Sequence, residues 1–164
     1  MTVVHEPVSG WVEPSASDRL ALLQRTKTVA MVGVSANPAR PSNFVATYLV
    51  SSSADFDVYF VNPTVDEILG QRCYPSLSDL PIVPDLVDVF RRSEDLPEVA
   101  QETVSIGASA FWAQLGLWSS DAAQLAHGAG LDVVMDRCLK IEHARFHGGL
   151  HLAGFDTGVI DSRR

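Results

Sequence analysis

Apolar and polar positions along the chain follow a repeated pattern. Short, continuously apolar runs alternate with longer stretches in which apolar residues return every three or four positions. The runs at residues 29–34, 57–61, 86–90, 110–115 and 132–135 are rich in Val and Phe and predict five strands. They do not alternate with polar residues, so both faces of each strand are covered, as in a parallel sheet. The stretches between them predict helices. Residues 15–26 carry Ser15 or Ser17 as cap and Leu20, Leu22 and Leu23 as an apolar side. Ser42 is placed to cap a second helix that shows Phe44, Val45, Tyr48 and Leu49 on one face. Ser93, followed by Glu94 and Asp95, starts a third that stops at Gly107, and Ser119 or Ser120 starts a fourth that closes at Gly128 and Gly130. A last helix is expected over 141–146, while residues 65–80 read as irregular, with a turn at Gly70.

Strands of about five residues joined by helices imply an α/β fold with a doubly wound, five-stranded parallel sheet. Right-handed crossovers give 3-2-1-4-5 as the default strand order. The expected organisation is an arm and short helix over 1–27, a body over 28–146 and a glycine-containing tail over 147–164. Trp11 is available to anchor the arm.

Sheets of this kind bind ligands outside the carboxyl ends of their strands, so chemistry should gather after strands and not before them. It does: GVSANPARPS, NPT, FRRSE, QLG and DRC follow the five runs in turn. The first of these is the most telling. Strand, small-residue loop and helix together hold phosphate, because first-turn amides of a helix point outward and carry partial positive charge. Gly33 and Val34 lead into that loop, Ser35, Asn37 and Ser42 offer donors, and Arg40 offers charge. Of Arg91 and Arg92, which point to opposite sides of an extended chain, one reaches a ligand, and Arg91 is favoured. Asn62-Pro63 is equally an adenosine contact or a structural turn, and residues 74–77 are a cover for a base or an ordinary loop.

Composition narrows the ligand. The net charge is −8 and the pI near 4.9, which disfavours nucleic acid and anionic lipid across most of the surface. An anion therefore needs a local positive site. No apolar run reaches the ~18 residues that span a bilayer, and the expectation is a cytoplasmic protein. Cys73 and Cys138 are too few for a disulfide framework and lie in no zinc-ligand spacing. Cys138, beside Arg137, invites a reactive thiol, though a small buried cysteine is the commoner case. His143 and His147 share a helical face, but Gly148-Gly149 breaks the register before His151, so no metal is expected. The dinucleotide fingerprint fails at Ser35, where its second glycine belongs, and at Asn62, where an acidic residue should hold the ribose. A Walker lysine and a G-x-S-x-G elbow are also missing.

Five motifs in register, GVSANPARPS, VNP, VDVFR, WAQLG and VMDRC with KIEH, resemble the stand-alone coenzyme A-binding domain proteins over about residues 28–145. Those are similar to the N-terminal domain of the succinyl-CoA synthetase α subunit. The resemblance implies a Rossmann-like fold holding CoA. Gly33, Ser35, Asn37, Arg40 and Ser42 would face the phosphates, Asn62 and Pro63 would flank the nucleoside, and Phe90, Arg91, Gln114, Leu115 and Gly116 would line the rest. The synthetase's phosphorylated-histidine domain and ATP-grasp subunit have no counterpart in 164 residues. The implied function is a non-catalytic module for CoA or an acyl-CoA, with a protein partner or self-association open. Two alternatives stand beside it: an NAD(P)-binding redox sensor or oxidoreductase, and a subunit of a split ADP-forming acyl-CoA synthetase.

Overall fold

Ala16–Arg25 (α1) opens the ordered elements of the computed structural model, which describes residues 3–51 and 54–147. Ser15 caps it: its hydroxyl accepts the Asp18 amide while the Asp18 carboxylate accepts the Ser15 amide. Thr28–Val32 (β1), Pro41–Leu49 (α2) and Asp57–Val61 (β2) follow, then a hairpin of Glu67–Ile68 (β3) and Gln71–Tyr74 (β4). Leu86–Val89 (β5), Leu96–Ser105 (α3), Ala110–Ala113 (β6), Ser120–Gly128 (α4), Asp132–Val134 (β7) and Leu139–His147 (α5) are the remaining strands and α-helices among the described residues.

The sheet is α/β and doubly wound, but it has seven strands in the order β3-β4-β2-β1-β5-β6-β7 instead of five. All neighbours are parallel except the β3–β4 pair. The third apolar run, Leu86–Val89, lies beside β1 and not outside β2, so the expected order fails as numbered. The place beside β2 is taken by β4, and the pairs Phe60↔Cys73 and Val61↔Tyr74 continue the parallel ladder. With β4 counted as the third parallel strand the order is 3-2-1-4-5-6. Residues 65–80 read as irregular because β4, between β2 and the two-residue β3, sends only Cys73 inward, while Gln71 and Arg72 are exposed. Leu69 and Gly70 turn the hairpin at φ 52° and 76°, the left-handed pair that a two-residue hairpin requires.

Each sheet face carries its own core. One packs Val87, Val89, Phe111 and Val133 under α3 and α4. The other packs Met31, Phe60 and Trp112 against Leu22 and Leu23 of α1, Val45 and Leu49 of α2, and Leu139 of α5. Three local expectations are corrected. Phe44 is 63% exposed, and Asn43 and Ala46 take the buried face of α2 instead. Arg40, not Ser42, stands at the α2 cap position, with no side-chain cap bond. Ser93 opens a short 3-10 turn ahead of α3, and its hydroxyl accepts the Trp118 amide.

Candidate functional site

The loop after β1 leaves the sheet through Gly33, whose amide donates to Val61 O at 2.9 Å and whose φ is 89°. Its missing side chain serves packing: a Cβ there would lie 2.4 Å from the Phe90 carbonyl and 2.9 Å from the Arg91 side chain. The β5 exit thus approaches the Gly33 backbone closely, and a residue without a side chain leaves room for it. Beyond it the loop is held by its own polar groups. The Ser35 amide donates to Ser42 Oγ, the Asn37 amide to Ser35 Oγ, and the Ala39 amide to Asn37 Oδ1, at 3.0, 3.0 and 2.9 Å. Asn43, buried in the first turn of α2, donates its side-chain amide to Ser35 O at 2.9 Å. The small polar residues therefore preform the loop before any ligand meets it.

A cleft of about 400 Å³ opens beside this loop, lined by Gly33, Ser35, Arg40, Pro41, Ser42, Phe90, Arg91, Gln114, Leu115 and Leu117. It sits on the carboxyl rim, where the exits of β1, β5 and β6 meet the start of α2. Two arginines line it and no carboxylate does. Arg91 is partly offset by Asp95 at 3.5 Å, whereas Arg40 has no ion pair among the described residues. The cleft is thus positive in a chain that is acidic as a whole. Gln114 is 5% exposed, with its side-chain oxygen accepting the Leu139 amide, so the cleft floor is tied to the start of α5.

Of the residues singled out from sequence, Gly33, Ser35, Arg40, Ser42, Phe90, Arg91, Gln114 and Leu115 are brought together here. Asn37, Asn62, Pro63, Val34 and Gly116 do not line the cleft. Val34 is fully buried in the core. Asn62 donates to Val34 O at 3.0 Å while its Oδ1 accepts the Thr64 amide and hydroxyl, so its side chain braces the two loops. Gly116 donates its amide to Asp136 Oδ1 at 2.7 Å, behind the cleft wall. Arg92 points away, 73% exposed and paired with Asp95. Pro41, within GVSANPARPS, and Leu117, just past WAQLG, also line the cleft, though neither is singled out as a contact from sequence. Trp112 is wholly buried, and its ring N–H donates to Arg137 O.

His143 is 3% exposed and hydrogen-bonded to Tyr48 Oη at 2.7 Å; His151 lies outside the described residues. Among the described residues no group of three or more His, Cys, Asp or Glu is placed to hold a metal, and no helix is long and apolar enough to cross a membrane.

The known proteins most informative about this chain fall into two kinds. The Bacillus subtilis protein YneT is 42% identical over 131 residues, 80% of this chain and 96% of its own length. A solved protein from Pyrococcus horikoshii is 35% identical, covers 90% of this chain and all of its own, and superposes with a TM-score of 0.78. By contrast, the ADP-forming acetate–CoA ligase II of Archaeoglobus fulgidus is 32% identical over 81 residues, 49% of this chain but 12% of the ligase. A dinucleotide-forming acetyl-coenzyme A synthetase from Candidatus Korarchaeum cryptofilum matches 67% of this chain and 26% of its own at 25% identity, with a TM-score of 0.58. Across residues 27–144, a span that holds every strand and the whole cleft, the sequence matches the model of the CoA binding domain, and the chain belongs to that family.

Proposed function

We propose that the protein is a cytoplasmic binding module for coenzyme A or an acyl-CoA, without chemistry of its own. The observation that carries this reading is the carboxylate-free, two-arginine cleft against the start of α2, in a chain of the CoA binding domain family with net charge −8. Guanidinium and hydroxyl donors suit a pyrophosphate, which is fully ionised and wants several charge-assisted hydrogen bonds. Ser35, Arg40 and Ser42 are the proposed phosphate contacts, with Asn37 holding the loop that presents them. Asn62 and Pro63, at the β2 exit, flank the nucleoside. Phe90, Arg91, Gln114 and Leu115 line the path of the pantetheine arm, where Leu115 and Leu117 supply apolar surface.

Titration calorimetry checks it. CoA is expected to bind, and Arg40→Ala to weaken binding by about ten- to a hundredfold, the range for losing a charge-assisted hydrogen bond. Arg91→Ala costs less, because Asp95 already offsets that charge. Tighter binding of NAD than of CoA reverses the assignment.

The ligase relatives support a second reading. The chain matches about an eighth of the Archaeoglobus ligase, so a protein of this kind can be one piece of an ADP-forming synthetase whose other pieces lie on separate chains. Co-purification with an ATP-grasp subunit, and thioester formation only when the two are mixed, would favour it over the stand-alone module.

A further inference from the structure

The arm that precedes α1 is not loose. His5 lies flat on Trp118, ring centroids 3.9 Å apart and planes within 5°, and Trp11 meets the same indole edge-on at 5.7 Å. Trp118 donates its ring N–H to Glu6 O at 3.2 Å, and Val8 and Trp11 pack on the core under α3 and α4. Glu13 lies 3.7 Å from His5 and 3.9 Å from Arg137. Trp118 directly follows Leu117, which lines the cleft, so the arm grips the far side of the cleft wall.

Asp136 joins arm to wall. It sits just past β7 with φ 56°, a left-handed conformation uncommon outside glycine. Its two carboxylate oxygens face different elements: Oδ2 meets His5 Nε2 at 2.7 Å, and Oδ1 accepts the Gly116 amide at 2.7 Å. Gly116 itself is at φ 89°, between the lining residues Leu115 and Leu117. One side chain therefore sets both the seat of the arm and the shape of the wall.

We propose that Asp136 is a positioning residue for the cleft, and that the N-terminal arm, through His5 and Asp136, couples its own docking to occupancy of the site. The proposal rests on the CoA reading for its ligand, but not for its mechanics. Docking of the arm holds the 114–118 wall in the geometry described above. Coupling is reciprocal, so a bound ligand must steady the arm as much as the arm steadies the ligand.

Hydrogen exchange and CoA binding, measured on the full chain and on His5→Ala and His5→Phe, test it. His5→Phe keeps a ring on Trp118 but loses the bond to Asp136. Both variants are expected to exchange faster across 114–118 without ligand, and to bind CoA about fivefold or more weakly, mainly through faster dissociation. CoA is expected to slow exchange across residues 5–13 of the unaltered protein, which a merely structural arm would not show. Unchanged exchange across 114–118, or unchanged CoA affinity in both variants, overturns the proposal. A His5→Phe protein that behaves like the unaltered one overturns the route through Asp136. If the unaltered protein binds no CoA, the functional reading falls, and the 114–118 exchange alone then upholds or sinks the arm-to-wall link.

Discussion

Gly33 combines two demands that no other residue meets, a φ of 89° and room for the Phe90 carbonyl. Gly33→Ala is expected to cost about 2 kcal/mol or more in stability and to displace Arg91 from the cleft; urea unfolding and CoA titration would read the two effects. Asp88 is a different kind of residue. It sits in the middle of β5, fully buried, and neither carboxylate oxygen has a hydrogen-bond partner among the described residues. Burial holds its carboxyl in the protonated form well above the usual carboxylate range. Because the folded-state value is raised, its share of stability is whole below the unfolded value near ~3.9 and declines as pH climbs toward the folded one. Asp88→Asn carries no such proton, so its stability relative to the native chain should improve by about 1.4 kcal/mol per pH unit over that window. Thermal unfolding at a series of pH values from acid to mildly alkaline would show the difference; a gap that does not widen with pH would mean that Asp88 is not neutral in the fold.

Among the elements, α1 and α5 lie on one sheet face and are joined through a buried ion pair. Arg19 and Glu142 are 5% and 2% exposed; Arg19 also donates to Pro14 O, and Arg145 reaches Glu142 at 3.4 Å. Removing one member leaves the other charged in a dry site, which costs more than the pair contributes. Glu142→Ala is expected to destabilise by about 3–5 kcal/mol, and Arg19→Met with Glu142→Leu together by far less; chemical denaturation of the three proteins measures it. The same pair explains why a helix outside the family match belongs physically to the body: Leu22 and Leu23 share a core with Leu139. The β3–β4 hairpin works oppositely, extending the sheet with few buried residues and bracing the β2 exit through the bond from the Asn62 amide to Tyr74 O.

For the molecule as a whole, a ligand that binds only the folded state raises its stability by mass action. At a hundred times its dissociation constant the gain is about 2.7 kcal/mol, and for a chain of this size that moves the melting temperature by about 5–10 °C. CoA is expected to produce this shift and NAD at equal concentration is not. A shift with NAD alone would return the dinucleotide reading. The electrostatic setting favours discrimination of this kind. With a net charge of −8, most of the surface disfavours anions, whereas Arg40 and Arg91 face a cleft lined by no carboxylate.

Sequence alone determined what depends on near neighbours. Strands at Thr28–Val32, Asp57–Val61 and Leu86–Val89 follow from continuous apolar runs, and a cap at Ser15 or Ser17 follows from the leucines behind it, the structure choosing Ser15. Parallel packing and the gathering of chemistry after strands follow from the same pattern. Tertiary structure alone decided the rest, because it depends on distance in space. The place of β4 outside β2 is set by the ladder between them, invisible in QRCY, whose only inward residue is Cys73. Ser42 tethers Ser35 instead of capping a helix, since the loop's fold brings its hydroxyl to that amide. Most of all, the grip of His5 on Asp136 spans 131 positions, a separation over which no periodicity in the chain carries information.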